Sequence, residues 1–190
     1  MPKFAVNQKN PVQNPLQQSV LDALLQVENF PREGVLFQDL REVWRNPGLC
    51  RSIVEAMAQQ IRDAGGTDLI LGIESRGFLL GMPLALALEV PFVPARKKGK
   101  LPGLIVEEAY ALEYGLDAME MQVEGLQKEL RVFVHDDVLA TGGTAEAAAR
   151  MVRRAGLRLA GFSFLLEIQG LGGRERLEKS APVLEAICRV

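Results

Sequence analysis

The segment Phe133-Val134-His135-Asp136-Asp137-Val138-Leu139-Ala140-Thr141-Gly142-Gly143-Thr144 decides how this chain is read. Its apolar start marks a buried strand. Two adjacent carboxylates at the strand's carboxyl end are costly to desolvate unless a polar ligand in a crevice satisfies them, and the vicinal hydroxyls of a ribose suit that place. The Ala-Thr-Gly-Gly-Thr that follows turns the backbone tightly and directs successive N–H groups into one cavity. It then opens a helix whose amino end attracts anions, so a phosphate monoester is the natural occupant. An isolated Asp-Asp pair more often marks an acidic turn before a Thr-capped helix, but strand, acid pair and Thr-Gly-Gly-Thr in contiguous order favour a ligand site. No Lys follows the glycines, as a G-x-x-x-x-G-K-[ST] triphosphate loop requires.

Around this segment, short apolar strands alternate with amphipathic helices. Leu69-Ile70-Leu71-Gly72-Ile73 is an almost unbroken apolar run, as expected of a parallel strand covered on both faces, and a helix over 77–88 follows it. Residues 91–95 read as a second buried strand, and 103–110 with 117–123 as an exposed hairpin around Glu113-Tyr114-Gly115. Beyond the strand at 131–135 come a helix over 143–155, a strand over 159–166, a short helix near 174–179 and a strand near 183–187. This order predicts an α/β fold on a largely parallel sheet. Towards the amino terminus, a helical stripe begins near Leu16, takes in Val20, Leu21, Leu24, Leu25 and Val27, and stops at Phe30-Pro31. A second helix runs from Pro47 to Ala64, where Gly65-Gly66 breaks it. Residues 1–14, rich in Asn, Gln and Pro, read as a flexible arm, and 15–190 as a single domain.

Composition narrows the class. The 190 residues are 48% hydrophobic and 24% charged, ordinary for one globular domain. No run approaches the ~20 apolar residues that span a bilayer, and the first residues lack the apolar centre of a secretory signal, so a cytoplasmic protein is expected, with no membrane partner. Cys50 and Cys188 stand far apart and suggest neither a zinc site nor a disulfide framework. A net charge of −2 and a pI near 5.6 argue against nucleic-acid binding. One basic run stands out, Arg96-Lys97-Lys98-Gly99-Lys100.

The acid-pair segment resembles the 5-phosphoribosyl 1-diphosphate (PRPP) signature of type I phosphoribosyltransferases, and three further stretches resemble the adenine-specific branch of that family. Phe30-Pro31-Arg32-Glu33-Gly34-Val35-Leu36-Phe37-Gln38-Asp39 is similar to its adenine-binding segment and Glu74-Ser75-Arg76-Gly77-Phe78 to its diphosphate loop. The basic run, with Leu101-Pro102-Gly103 and Tyr110-Ala111-Leu112-Glu113-Tyr114-Gly115, resembles its mobile catalytic loop. Four motifs in order, spanning Phe30 to the carboxyl terminus, are far more specific than any one. The resemblance implies the type I phosphoribosyltransferase fold: a mostly parallel twisted sheet flanked by helices, with a mobile hairpin loop and a small amino-terminal hood.

It also implies roles that spacing alone does not give. On spacing, Phe37 is a core aromatic, Glu113 a turn carboxylate, Arg76 a solvated side chain and the basic run a solvated face. By resemblance, Phe37 stacks on the purine while the backbone of Leu36 and Gln38 reads its edge; the family more often has Arg at position 38. Ser75, Arg76, Arg96, Lys97 and Lys100 take the diphosphate of PRPP, and Asp136 and Asp137 the ribose hydroxyls. Ala140, Thr141, Gly142, Gly143 and Thr144 hold the 5′-phosphate. Glu113 is the general acid or proton-holding group near the purine imidazole, and Tyr114 helps close the lid. Mg²⁺ is bound mainly through PRPP. The basic loop implies a homodimer with shared active sites. His135, where the family usually has an aliphatic residue, reads as structural. The expected reaction is transfer of ribose 5-phosphate to adenine, giving AMP and diphosphate. The rival readings are a 6-oxopurine substrate and a non-catalytic PRPP or purine sensor, the latter drawing weight from Leu40-Arg41-Glu42, where the family tends towards Ile-Thr-Pro or Ile-Ser-Pro.

Overall fold

A computed structural model describes residues 14–30, 32–112 and 115–190, which divide into two compact units, one up to Leu49 and one from Cys50 onward. In the first, Asn14 caps α1 (Pro15–Ala23) by accepting the Leu16 N–H at 3.1 Å, and Pro15 supplies a pre-set first turn. The helix ends at Ala23, short of the predicted stop. Leu25-Gln26-Val27-Glu28, expected to continue it, is instead a strand, β1 (Leu25–Glu28), paired antiparallel with β2 (Leu36–Asp39) so that Val27 faces Phe37 and Gln26 faces Gln38. Those four residues alternate apolar and polar with period two, and their fit to a helical stripe was fortuitous. Asn29, at φ 57°, closes the hairpin by accepting the Gly34 N–H at 2.9 Å. Asp39 then accepts the Arg41 N–H at 2.9 Å where α2 (Arg41–Trp44) begins.

The second unit is built on α3 (Pro47–Asp63) from Cys50 onward and a seven-stranded sheet. Ile53, Met57 and Ile61 of α3 are fully buried, as their spacing predicts. Gly65 and Gly66, both at positive φ, end the helix, with the Gly66 N–H reaching back to the Ile61 carbonyl at 2.8 Å. There follow β3 (Leu69–Ile73), α4 (Gly77–Leu88), β4 (Phe92–Lys97), β5 (Ile105–Leu112), β6 (Gly115–Gln122), β7 (Arg131–Leu139), α5 (Gly143–Arg154), β8 (Arg158–Glu167), α6 (Gly173–Leu177) and β9 (Leu184–Arg189). The sheet order is β5-β6-β4-β3-β7-β8-β9. It is parallel from β4 to β9, and the β5–β6 hairpin extends the β4 edge antiparallel. Arg150 and Arg154 of α5 tie this hairpin down by donating to Glu108 at 2.7 and 2.8 Å.

From β3 the chain crosses through α4 to β4 on one side, and from β7 through α5 to β8 on the other. The neighbouring strands β3 and β7 therefore flank a topological switch point, where open α/β sheets bind ligands at the strands' carboxyl ends. Strand β7 is longer than predicted because its pairing with β8 runs on to Leu139 and Glu167, while its pairing with β3 stops at Gly72 and His135. The acid pair thus lies beyond the last β3 rung, on the side where β7 faces a crevice. Glycines bring α4 close to this floor: a Cβ at Gly77 would stand 2.9 Å from the His135 carbonyl oxygen, and one at Gly81 would stand 3.3 Å from the His135 ring. His135 is fully buried and its Nδ1 lies 3.0 Å from the Ser163 carbonyl, so Nδ1 carries the proton. Burial pushes its pKa down to about 4, against which the Ser163 contact is the lesser influence. The imidazole is a neutral packing group, as expected from the sequence.

Candidate active site at the carboxyl ends of β3 and β7

The turn after β3 and the end of β7 meet through an ion pair. Arg76 Nε stands 2.7 Å from Asp137 Oδ2, although that buried oxygen accepts no hydrogen bond among the described residues. The contact is a charge pairing without hydrogen-bond alignment, and it leaves the oxygen able to accept from a hydroxyl. Asp137 is buried and Asp136 half-buried, with the Asp137 N–H donating to Asp136 Oδ1 at 2.9 Å. Burial raises the pKa of both carboxyls; the Asp137 charge raises Asp136 further, and Arg76 pulls both back. The Glu74-Ser75 peptide in the same turn is cis.

On the other side of the acid pair, residues 140–144 line a cavity of about 80 Å³ together with Asp136, Val138, Leu139, Ala145 and Phe164. That volume is two to three times the ~30 Å³ that one water occupies in the liquid, room for a small oxyanion. Gly142 takes φ 76° at the head of α5, and no side chain caps that helix, so Thr144 is not the cap an ordinary acidic turn would supply. The amides of the first turn are thus satisfied by no capping side chain.

The basic run is more firmly held than its composition suggests. Arg96 and Lys97 belong to β4 rather than to a loop. The Glu74 carboxylate accepts the Lys97 N–H at 2.9 Å and the Arg96 guanidinium at 3.2 and 3.4 Å, and these bonds, the Lys97 amide foremost, draw its pKa down. Glu120, only 1% exposed, accepts the N–H groups of Gly99, Lys100 and Leu101 at 2.9, 2.6 and 2.5 Å. Burial alone would raise its pKa, but the three amides outweigh it and the net shift is downward. Lys97 also lies 3.5 Å from Asp117, which accepts the Tyr110 hydroxyl at 3.0 Å. Glu74 opens the stretch that resembles the diphosphate loop but has no role of its own there, and for Glu120 the sequence offers only a Glu between two methionines in a hairpin, since the partners of both are set by strand register.

Thus Ser75, Arg76, Asp136, Asp137 and residues 140–144 come together at the switch point, and Arg96 joins them through Glu74. Leu36, Phe37 and Gln38 stand on β2 in the amino-terminal unit. There Phe37 packs edge-on against Phe30 at 5.1 Å between ring centroids, and Gln38 is buried beside Gln26. Strand β1 pairs with β2 along one edge only, as two-stranded order dictates. Glu113 and Tyr114 lie outside the described residues.

A parallel sheet with its acid pair and amide loop at the switch point defines a class, and residues 39–189 match the phosphoribosyl transferase domain family. The chain belongs to the adenine phosphoribosyltransferase branch of that family. It is 50% identical over 153 residues, 80% of this chain and 87% of the relative, to the adenine phosphoribosyltransferase of Parasynechococcus marenigrum (strain WH8102). Among solved structures, the enzyme of that name from Saccharomyces cerevisiae, complexed with adenine and an imino-altritol bisphosphate, superposes with a TM-score of 0.86 at 41% identity, covering 90% of this chain and 98% of that one. The Trypanosoma brucei enzyme, in complex with AMP, pyrophosphate and ribose-5-phosphate, matches with a TM-score of 0.82 at 27% identity, over 92% of this chain and 79% of that one.

Proposed function

We propose that this chain is a purine-salvage transferase that moves ribose 5-phosphate from PRPP to N9 of adenine, releasing AMP and diphosphate. The observation that carries the reading is the Asp136-Asp137 pair set between Arg76 on one side and the amide-lined cavity of residues 140–144 on the other. On this reading residues 15–190 form one phosphoribosyltransferase domain.

As diphosphate leaves, C1 of the ribose gains oxocarbenium character. Asp136 and Asp137 accept the ribose hydroxyls and place negative charge near that centre, while the amides of residues 140–144 fix the 5′-phosphate. Ser75, Arg76, Arg96, Lys97 and Lys100 receive the diphosphate, so Arg76 is shared between Asp137 and the leaving group. Glu113 holds a proton near the imidazole side of the purine, Tyr114 excludes water, Phe37 stacks on the base, and the backbone of Leu36 and Gln38 reads its edge.

Among the described residues no three His, Cys, Asp or Glu side chains gather into a metal site. Mg²⁺ needs no such cage, since it favours one or two carboxylates and many substrate or water oxygens. Asp136 and Asp137 fit that habit and would hold it jointly with PRPP. When bound, it neutralises charge on the diphosphate. Only two cysteines in 190 residues, Cys50 and Cys188, far apart in sequence, suit a cytosolic location. A homodimer is supported by α4, which carries no polar side chain yet leaves Leu79, Met82 and Leu86 about half or more exposed along one face.

The test is nucleotide formation from PRPP and Mg²⁺ with adenine, hypoxanthine, guanine or xanthine. Adenine is expected to be consumed far faster than the others. A comparable rate with a 6-oxopurine overturns the base assignment, and no product from any base despite PRPP binding favours a sensor.

A further inference from the structure

We propose that Arg176 is a positioning residue for the loop of residues 140–144, aiming the Gly142 N–H at the bound phosphate; this rests on the phosphate reading of that loop given above. Arg176 lies on α6 and its Nη1 donates to the Thr141 carbonyl at 3.1 Å. In a trans peptide, the carbonyl and the following N–H point in opposite directions. Holding the Thr141 carbonyl towards Arg176 therefore turns the Gly142 N–H the other way, towards the cavity that Thr141 and Gly142 line.

The peptide needs such a constraint because Gly142, at φ 76°, has the freedom to accept the flipped orientation as well. A flip would put a carbonyl oxygen where the anion belongs. The loop and α6 are in backbone contact: a Cβ on Gly142 would stand 3.1 Å from the Gly173 carbonyl oxygen, and one on Gly173 would collide with that of Ala140. Arg176 is itself oriented by Glu146 of α5, at 3.6 Å from its Nε. Its Nη1 comes within 3.3 Å of the position a Cβ would take on Gly143, which places positive charge behind the amide cradle.

The experiment compares binding of AMP and adenosine by calorimetry to wild-type protein and to Arg176→Met, with circular dichroism as a check on folding. Wild-type protein is expected to bind AMP much more tightly than adenosine. In the folded variant the ratio of the two dissociation constants should fall roughly tenfold, as for loss of a charged hydrogen bond, with adenosine affinity unchanged. Arg176→Lys, which keeps a cationic donor on a shorter side chain, should recover part of it. An unchanged ratio in folded Arg176→Met overturns the role of Arg176 while sparing the phosphate site. No AMP preference in wild-type protein overturns the phosphate reading itself. Should Arg176→Met fail to fold, Arg176→Gln is judged by the same ratio.

Discussion

Burial holds the Asp136 and Asp137 carboxyls above the ordinary carboxylate range, so the folded protein binds their protons more tightly than the unfolded chain. Their contribution to stability is full below the usual Asp value and is lost as pH rises through the raised one. Asp136→Asn is accordingly expected to melt higher than wild type at pH 8, with the gain shrinking towards pH 4, while turnover falls by about 10²-fold or more. Melting curves and initial rates check both halves, and a variant less stable at pH 8 contradicts the assignment. His135 runs the other way: with its pKa pushed down to about 4, its ring resonances should show the neutral imidazole down to pH 5, and a midpoint near the usual 6.5 contradicts the buried, Nδ1-protonated ring. At this scale the acid pair and glycine turn were legible because their chemistry is local. Glu120 and Arg176 were not, because each acts on a segment that only the fold brings near.

Among the elements, β6 holds the turn of residues 99–101 through one side chain. Glu120→Ala removes the acceptor of three amides, each costing about 1 kcal/mol or more where water does not replace it. The expected result is a lowered melting temperature and an apparent KM for PRPP raised about tenfold, with a smaller change in KM for adenine. Equal changes in the two constants would show that the loop of residues 99–101 does not serve the diphosphate. The parallel strands were legible because burial on both faces leaves unbroken apolar runs such as Leu69-Ile70-Leu71. The β1–β2 hairpin was hidden because Leu25 and Val27, which alternate with a strand period, also extend the helical stripe of Val20, Leu21 and Leu24, and only pairing with residues 36–39 decides between the two.

For the molecule as a whole, strand order was the illegible part. Residues 69–73 and 131–139 are adjacent in space though distant in sequence, and their juxtaposition creates the switch point on which the site depends. The apolar outer face of α4 belongs to this scale too. Leu86, 67% exposed in the single chain, is expected to be covered by a second copy, so Leu86→Asp should shift the species in sedimentation velocity from dimer to monomer. A wild-type protein sedimenting as a monomer removes that role.

The central claim, that the acid pair and the amide loop grip opposite ends of one sugar phosphate, is tested most directly by diffraction from crystals soaked in ribose 5-phosphate. The expected density places the phosphate against the amides of residues 140–144 and the ring hydroxyls on Asp136 and Asp137. Ligand bound elsewhere, with that cavity filled only by solvent at saturating concentration, would contradict it.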